Sequence, residues 1–155
     1  MTVDRAGEAR SAGRDDVLEP ADSPGFLLWR ATLRWQRVMA STLRPFGLTH
    51  VQFVLLASLW WLTEVAGEMP SQRRLADHAG SDPMMTSQVL RTLETRGLLS
   101  RAAHPTDSRA RQLAVTSEGA ELAARAITAV EDADRVFFAA ASGRRTLTEF
   151  LQGLA

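Results

Sequence analysis

Residues 71–116 read SQRRLADHAGSDPMMTSQVLRTLETRGLLSRAAHPTDSRARQLAVT. Ser71 opens a short helical segment as its N-cap, and Gly80 ends it. Asp82-Pro83 opens a second segment, with Asp as N-cap and Pro at the first helical position. Gly97 ends that one, and Leu98 is placed to fold back on Leu93 in a Schellman contact. The joint Ala79-Gly80-Ser81-Asp82 is a tight helix–helix turn containing glycine, the signature of a helix-turn-helix. After Gly97 the apolar period changes from helical to two. Leu99 and Arg101 alternate on one strand, and Arg111, Leu113 and Val115 on the other. Pro105, Asp107 and Ser108 lie between them, so the segment reads as a β-hairpin with a long tip. Met69-Pro70 is a candidate for a short third strand.

A helix fits the major groove of B-DNA, and the first helix of a helix-turn-helix props it there. Here 71–79 is the prop and 83–96 the reader. Val89, Leu90 and Leu93 should face inward, closed by Leu98. Met84, Met85, Thr86, Ser87, Gln88 and Arg91 are left for DNA near the reader's N-terminus. Gln pairs with adenine, Arg with guanine or phosphate, and Ser and Thr with either; Met can touch a thymine methyl. The hairpin adds Arg109 near its tip and Arg101 and Arg111 at its base, and an arginine on a narrow tip suits the electronegative minor groove. Asp107 is placed to hold that arginine or the wing. The candidate DNA-binding set is therefore Ser71, Thr86, Ser87, Gln88, Arg91, Arg101, Asp107, Arg109 and Arg111. A helix pair that only packs, and a hairpin that carries ordinary surface charge, are the plain alternatives.

Charge supports a basic lobe that the average hides. The net charge is zero, yet residues 71–116 carry seven arginines against four acids, while residues 1–22 carry six acids against three arginines. Every one of the 18 Lys/Arg positions is arginine. A GC-rich coding bias explains that as well as the guanidinium's fit to phosphate and guanine does.

Upstream, Ser23-Pro24 starts a helix that runs to about Leu43, because Pro45 disfavours helical geometry at Arg44. It has two apolar lines, Phe26, Trp29, Leu33 and Ala40 beside Leu28, Trp35 and Met39, with Arg30, Arg34 and Arg37 on the third side. A helix with two apolar faces must bury both, one of them against a partner chain. Thr49 and Gln52 form a capping box for the next helix, which is apolar nearly all round and therefore central, and which Gly67 stops. Downstream, Thr116 caps a long helix through Ser142 with a stripe of Leu122, Ala126, Val130, Ala133 and Phe137, and Ile127 beside it. A final helix, 144–155, places Leu147, Phe150, Leu151 and Leu154 on one face and is too short to stand alone.

The fold class is thus mainly α with a small β-hairpin, a winged helix-turn-helix lobe plus a helical dimerisation region. Residues 1–22 are expected to be a disordered tail and 23–155 a single domain, with 24–48 and 117–155 as dimerisation helices and 49–116 as the DNA-binding lobe. No run of about eighteen apolar residues suggests a membrane span, and the charged N-terminus lacks a secretory h-region, so a cytoplasmic protein is expected. With no cysteine, disulfides and thiolate chemistry drop out. His50, His78 and His104 are scattered, so neither a metal nor another cofactor is expected. Nothing matches a catalytic triad or a phosphate-cradling loop, so an enzyme is not expected.

Several of these stretches together resemble the MarR family of bacterial regulators. Residues 107–119, DSRARQLAVTSEG, resemble the family's wing pattern D-x-R-x-x-x-L-x-[LV]-T-x-x-G. Residues 93–101, LETRGLLSR, resemble L-E-x-[KR]-G-[LW]-[LIV]-x-R. Residues 47–52, GLTHVQ, are similar to the G-L-T-x-x-Q that opens the family's second helix, and Leu75-Ala76 fits the prop. The resemblance implies a homodimer with interleaved terminal helices, bound to a pseudo-palindrome. It implies a repressor released by a small aromatic or phenolic compound that sits between the dimer helices and the lobe. Trp35, His50 and Phe53 are the candidate pocket residues, His50 as a hydrogen-bond partner for an acidic ligand. Ser108 stands where many members have a second basic residue, which implies a weaker wing. The alternative is a dimeric ligand-binding or interaction module with a degenerate reader, and Asp82, an acid at the groove entrance, leans that way.

Overall fold

Helices begin in this chain where a side-chain oxygen meets free amides. The computed structural model describes residues 18–103, 111–139 and 144–154, and in it Ser23 accepts from the Phe26 amide at the head of α1 (Pro24–Leu43). A 3-10 turn, Arg44–Phe46, closes on Gly47 at φ 63°. Thr49 and Gln52 form the reciprocal capping box of α2 (His50–Trp60), with bonds of 3.0 and 3.3 Å. Ser71 caps α3 (Gln72–Ala79), Asp82 caps α4 (Pro83–Thr95), and Thr116 caps α5 (Ser117–Phe137). The last element is α6 (Arg144–Gln152). Of the expected tail, residues 1–17 lie outside the described residues, and 18–22 form an exposed turn.

The apolar helix continues past Trp60, but as a π-helical turn, Trp61–Val65, rather than as uninterrupted α-helix. Thr63 donates its hydroxyl to the Leu59 carbonyl, competing for that i−4 acceptor, and the Ala66 amide reaches back to Trp61. The turn leaves Trp61 partly exposed and stacked on His78 of α3, with ring centroids 5.4 Å apart.

Two compact units divide between Gln36 and Arg37, inside α1. In the larger one α2 is central. Its Phe53, Leu55, Leu56 and Leu59 are buried, and it packs on α3, α4, α5 and β2. β1 (Leu99–Ala103) pairs antiparallel with β2 (Arg111–Val115), Leu99 opposite Val115 and Arg101 opposite Leu113. The expected third strand is a single bridge, Ser71 to Gln112, with the Leu113 amide donating to Pro70.

Alpha5 buries Gly119, Ala123, Ala126 and Val130, so Ala126 and Val130 of the expected stripe are buried while its Leu122, Ala133 and Phe137 are half-buried. Small residues win because the helix approaches closely. A Cβ on Gly119 would lie 1.9 Å from the Leu98 carbonyl oxygen, so only glycine fits. The helix also ends earlier than expected, at Phe137, where the Ala139 amide turns to Val136.

Candidate nucleic-acid interface

The turn between α3 and α4 is fixed by glycine and by two hydroxyls. Gly80 sits at φ 60°, and the Ser81 amide reaches back to Ala76. Asp82 then turns its carboxylate inward along the chain, and Oδ1 accepts from the amides of both Met84 and Met85 at 2.9 Å. Pro83 follows at the first helical position, where no amide is needed. At the other end Gly97 (φ 72°) and Leu98 close a Schellman motif, with the Leu98 amide on Leu93 and the Gly97 amide on Glu94. Thr116 ties that end to the wing by donating to the Gly97 carbonyl at 2.6 Å.

Alpha4 buries Thr86, Leu90 and Leu93, and Leu98 closes the cluster. Thr86 is a correction to the expectation that it contacts DNA. It is fully buried, and its hydroxyl donates to the Asp82 carbonyl at 2.8 Å. A hydroxyl has one proton, so Ser81 is the donor of the 2.7 Å bond between the two hydroxyls. Thr86 therefore takes the inward place expected for Val89, which is only half-buried. The spacing 86, 90, 93 is the signal that could have placed it.

The opposite face is open. Met84, Met85, Ser87, Gln88 and Arg91 line a shallow depression; Met84 is the most exposed large apolar side chain described, at 83%. Ser87 is half-buried, while Gln88 and Arg91 are exposed. Ser71 lies at the head of α3, its hydroxyl accepting from the Arg74 amide. Arg73, the second residue of that helix, is exposed and was not among the expected contacts. Arg74 is held by Glu68 in a two-pronged pair at 3.0 and 2.9 Å, which raises its pKa above the ordinary value.

Arg101 is a second correction. Its side chain is only 17% exposed, with Nε 3.0 Å from Glu94 Oε2 of α4 and Nη1 donating to Gln72 Oε1 of α3 at 3.4 Å. It links the wing strand to both helices beside the Glu94 carboxylate, with Nη2 buried and making no hydrogen bond among the described residues, so it is turned inward rather than presented to phosphate. The alternation could have found this, because Arg101 shares its strand face with the buried Leu99. Arg111 begins β2. Its side chain, and the whole of Asp107 and Arg109, lie outside the described residues.

Of the expected pocket residues, Phe53 is buried in the α2 core, and Trp35 is half-buried on α1 in the N-terminal unit. His50 lines an open groove with Ala40, Arg44, Gly47, Leu48 and Thr49. Burial lowers its pKa below the ordinary 6.5, against an opposing pull from Asp134. Among the described residues no single helix is long and apolar enough to cross a membrane, and no acid–histidine cluster is arranged to hold a metal.

The MarR family model matches residues 48–110. That span starts just after the 3-10 turn and its Gly47 cap, takes in α2, the prop and reader helices and β1, and stops just before β2. A relative in Bacillus subtilis (strain 168), the uncharacterized HTH-type transcriptional regulator YdcH, is 44% identical over 135 residues, 87% of this chain and 91% of its own length. CouR from Rhodococcus jostii RHA1 has been solved bound to p-coumaroyl-CoA. It is 28% identical, with 89% of this chain and 93% of that one covered at a TM-score of 0.76. The CouR repressor bound to a 23-mer DNA duplex aligns at a TM-score of 0.73, 28% identical, over 89% of this chain and 96% of that one. The MarR family protein Rv2887 of Mycobacterium tuberculosis, in complex with salicylic acid, is 31% identical. It covers 87% of this chain and 99% of its own, at a TM-score of 0.65. The capped prop and reader, the strand pair and these likenesses agree, and the chain belongs to the MarR family of transcriptional regulators.

Proposed function

We propose that this regulator is a homodimeric, sequence-specific DNA-binding repressor, working in the cytoplasm without catalysis and released by a small aromatic acid. The observation that carries the reading is the outer face of α4. Met84, Gln88 and Arg91 stand exposed opposite a fully buried Thr86–Leu90–Leu93 face. A helix so propped presents base-reading chemistry to a major groove. The DNA-bound CouR structure supports the same use of this fold. The wing would add affinity through Arg109 and Arg111, with Asp107 positioning it. Dimerisation is supported by large apolar side chains at both ends of the chain. Phe26, Leu27, Leu28 and Trp29 of α1 are exposed, as are Phe150 and Leu151 of α6 and Leu154 just beyond it. In a two-fold dimer the reader helices should stand roughly 34 Å apart, one turn of DNA.

The ligand reading rests on the His50 groove and on the aromatic acids bound to relatives. With its pKa lowered, His50 is largely neutral at pH 7 and offers a hydrogen bond rather than a charge. Arg44, in the same groove, supplies the cation that a carboxylate needs. A ligand that binds the DNA-incompetent arrangement better releases DNA by that difference in affinity.

A mobility-shift assay on the DNA upstream of the gene tests the reading. Selective, salt-sensitive retention, lost on adding an aromatic acid, is the expected result. Retention no better than that of random DNA would sink it. Arg109→Ala should weaken binding to all sequences and flatten its salt dependence.

A further inference from the structure

The open face of α4 has an internal order. At about 100° per residue, Met84, Gln88 and Arg91 fall on one line, within roughly 50° of the point opposite the Thr86–Leu90–Leu93 face. Met84 leads the line and is 83% exposed. The amides that usually make a helix N-terminus an anion site are already occupied here. Asp82 Oδ1 takes those of both Met84 and Met85, and its negative charge repels a phosphate. The first turn of α4 therefore meets DNA with a thioether and no phosphate clamp.

Resting on the reading of α4 as the DNA-reading helix, we propose that Met84 is a specificity-determining residue that reads the C5-methyl group of a thymine. The methyl is the one apolar feature of the major-groove edge, and an unbranched, polarizable methionine adapts to it. Along the helix axis Gln88 lies about 6 Å from Met84, and Arg91 about 4.5 Å further. With base pairs spaced about 3.4 Å apart, the three side chains cover a subsite of about four base pairs. Gln88 matches the N6/N7 edge of adenine and Arg91 the O6/N7 edge of guanine. Each half-site should thus hold a thymine, an adenine and a guanine close together. Met85, on the flank of the line and 40% exposed, is not part of the readout.

The test isolates the methyl group. The full-length protein selects its operator from a random duplex pool, and each thymine of one half-site is then replaced by deoxyuridine. One replacement should weaken binding on the order of fourfold, the value of about one buried methyl group. Met84→Ala should lose a similar factor on the thymine operator and nothing further on the deoxyuridine one, while Met85→Ala keeps the full deoxyuridine penalty. An enriched operator whose affinity is indifferent to deoxyuridine at every position overturns this inference and leaves the repressor reading standing. So does a Met84→Ala protein that still pays the penalty. A pool that yields no enriched sequence overturns both.

Discussion

The first turns of α1 and the helices of the lobe are both rich in large apolar residues, and they treat them oppositely. Phe26, Leu27, Leu28 and Trp29 are 42–60% exposed, whereas Leu55, Leu59, Leu75, Leu90 and Leu93 are completely buried. Even within α1 the habit changes, since Met39 and Leu43 near its end are fully buried. Composition cannot cause the difference. The lobe has several elements around α2 and closes its own core, whereas the N-terminal turns of α1 carry more apolar surface than they cover. Helical spacing reveals that a face must be buried, but not whether the same chain or a second copy buries it.

The largest effect should come from the tightest point of the lobe. Gly119→Ala sets a Cβ where the Leu98 carbonyl already stands, 1.9 Å from its oxygen and 2.8 Å from its carbon, and this nearest contact is backbone that no side-chain movement can relieve. A loss of more than about 4 kcal/mol is expected, in the rare tail for single substitutions. Urea unfolding checks it. A loss below about 1 kcal/mol would mean that α5 can shift off the β1 junction, and that the lobe is less closed than its burial implies.

The next pair of substitutions contrasts the two regions directly. Leu55→Ala should cost about 2–5 kcal/mol at every protein concentration, because the cavity it leaves is inside one lobe. Trp29→Ala removes a larger side chain from an exposed site. It should change subunit association rather than the lobe, so the dependence of Tm on protein concentration should weaken. If Trp29→Ala instead destabilises the protein equally at all concentrations, the exposed face of α1 is not an interface between copies.

Within α4 the same contrast runs across a single helix. Thr86→Val keeps the shape but removes a hydroxyl that bonds Asp82 and Ser81, leaving the Ser81 hydroxyl without its acceptor. About 1–3 kcal/mol of stability should go, with base preference unchanged. Gln88→Ala should do the reverse, leaving the melting curve alone and shifting the preferred sequence. A Thr86→Val protein that folds normally and prefers a different operator would return Thr86 to the DNA face.

These cases separate what the sequence makes legible from what it does not. The caps at Thr49, Ser71, Asp82 and Thr116 were readable because each acts within three residues of itself. The Schellman close at Gly97 and the alternation of the strands are local in the same way. Thr86 was misplaced because its polarity suggests solvent, while its partners, a neighbouring carbonyl and a serine, satisfy it inside. Arg101 was misplaced because its destination depends on Gln72, 29 residues away, and on Glu94 of another element. The π-turn at Trp61–Val65 depends on the competition for the Leu59 carbonyl, which apolar periodicity does not register. The wing residues that carry the family resemblance, Asp107 and Arg109, lie outside the described residues.

The smallest expected effect concerns His50, at the rim of the lobe where the first turn of α2 meets the groove. Burial favours its neutral form and lowers its pKa in the folded protein, with Asp134 pulling the other way. The unfolded chain keeps the ordinary value near 6.5. As pH falls through 6.5 the unfolded chain takes up a proton that the folded one resists, so the unfolded state gains and stability declines. Above 6.5 both states are neutral at this site, and the slope vanishes. His50→Gln should flatten the decline below pH 6.5 without changing stability at pH 8. Asp134→Asn removes the opposing pull, so it should lower the His50 titration midpoint further and steepen the acid loss. Titration of the imidazole by NMR reads the midpoint directly. A midpoint above 6.5 would show that the carboxylate outweighs burial, and that His50 meets an acidic ligand as a cation after all.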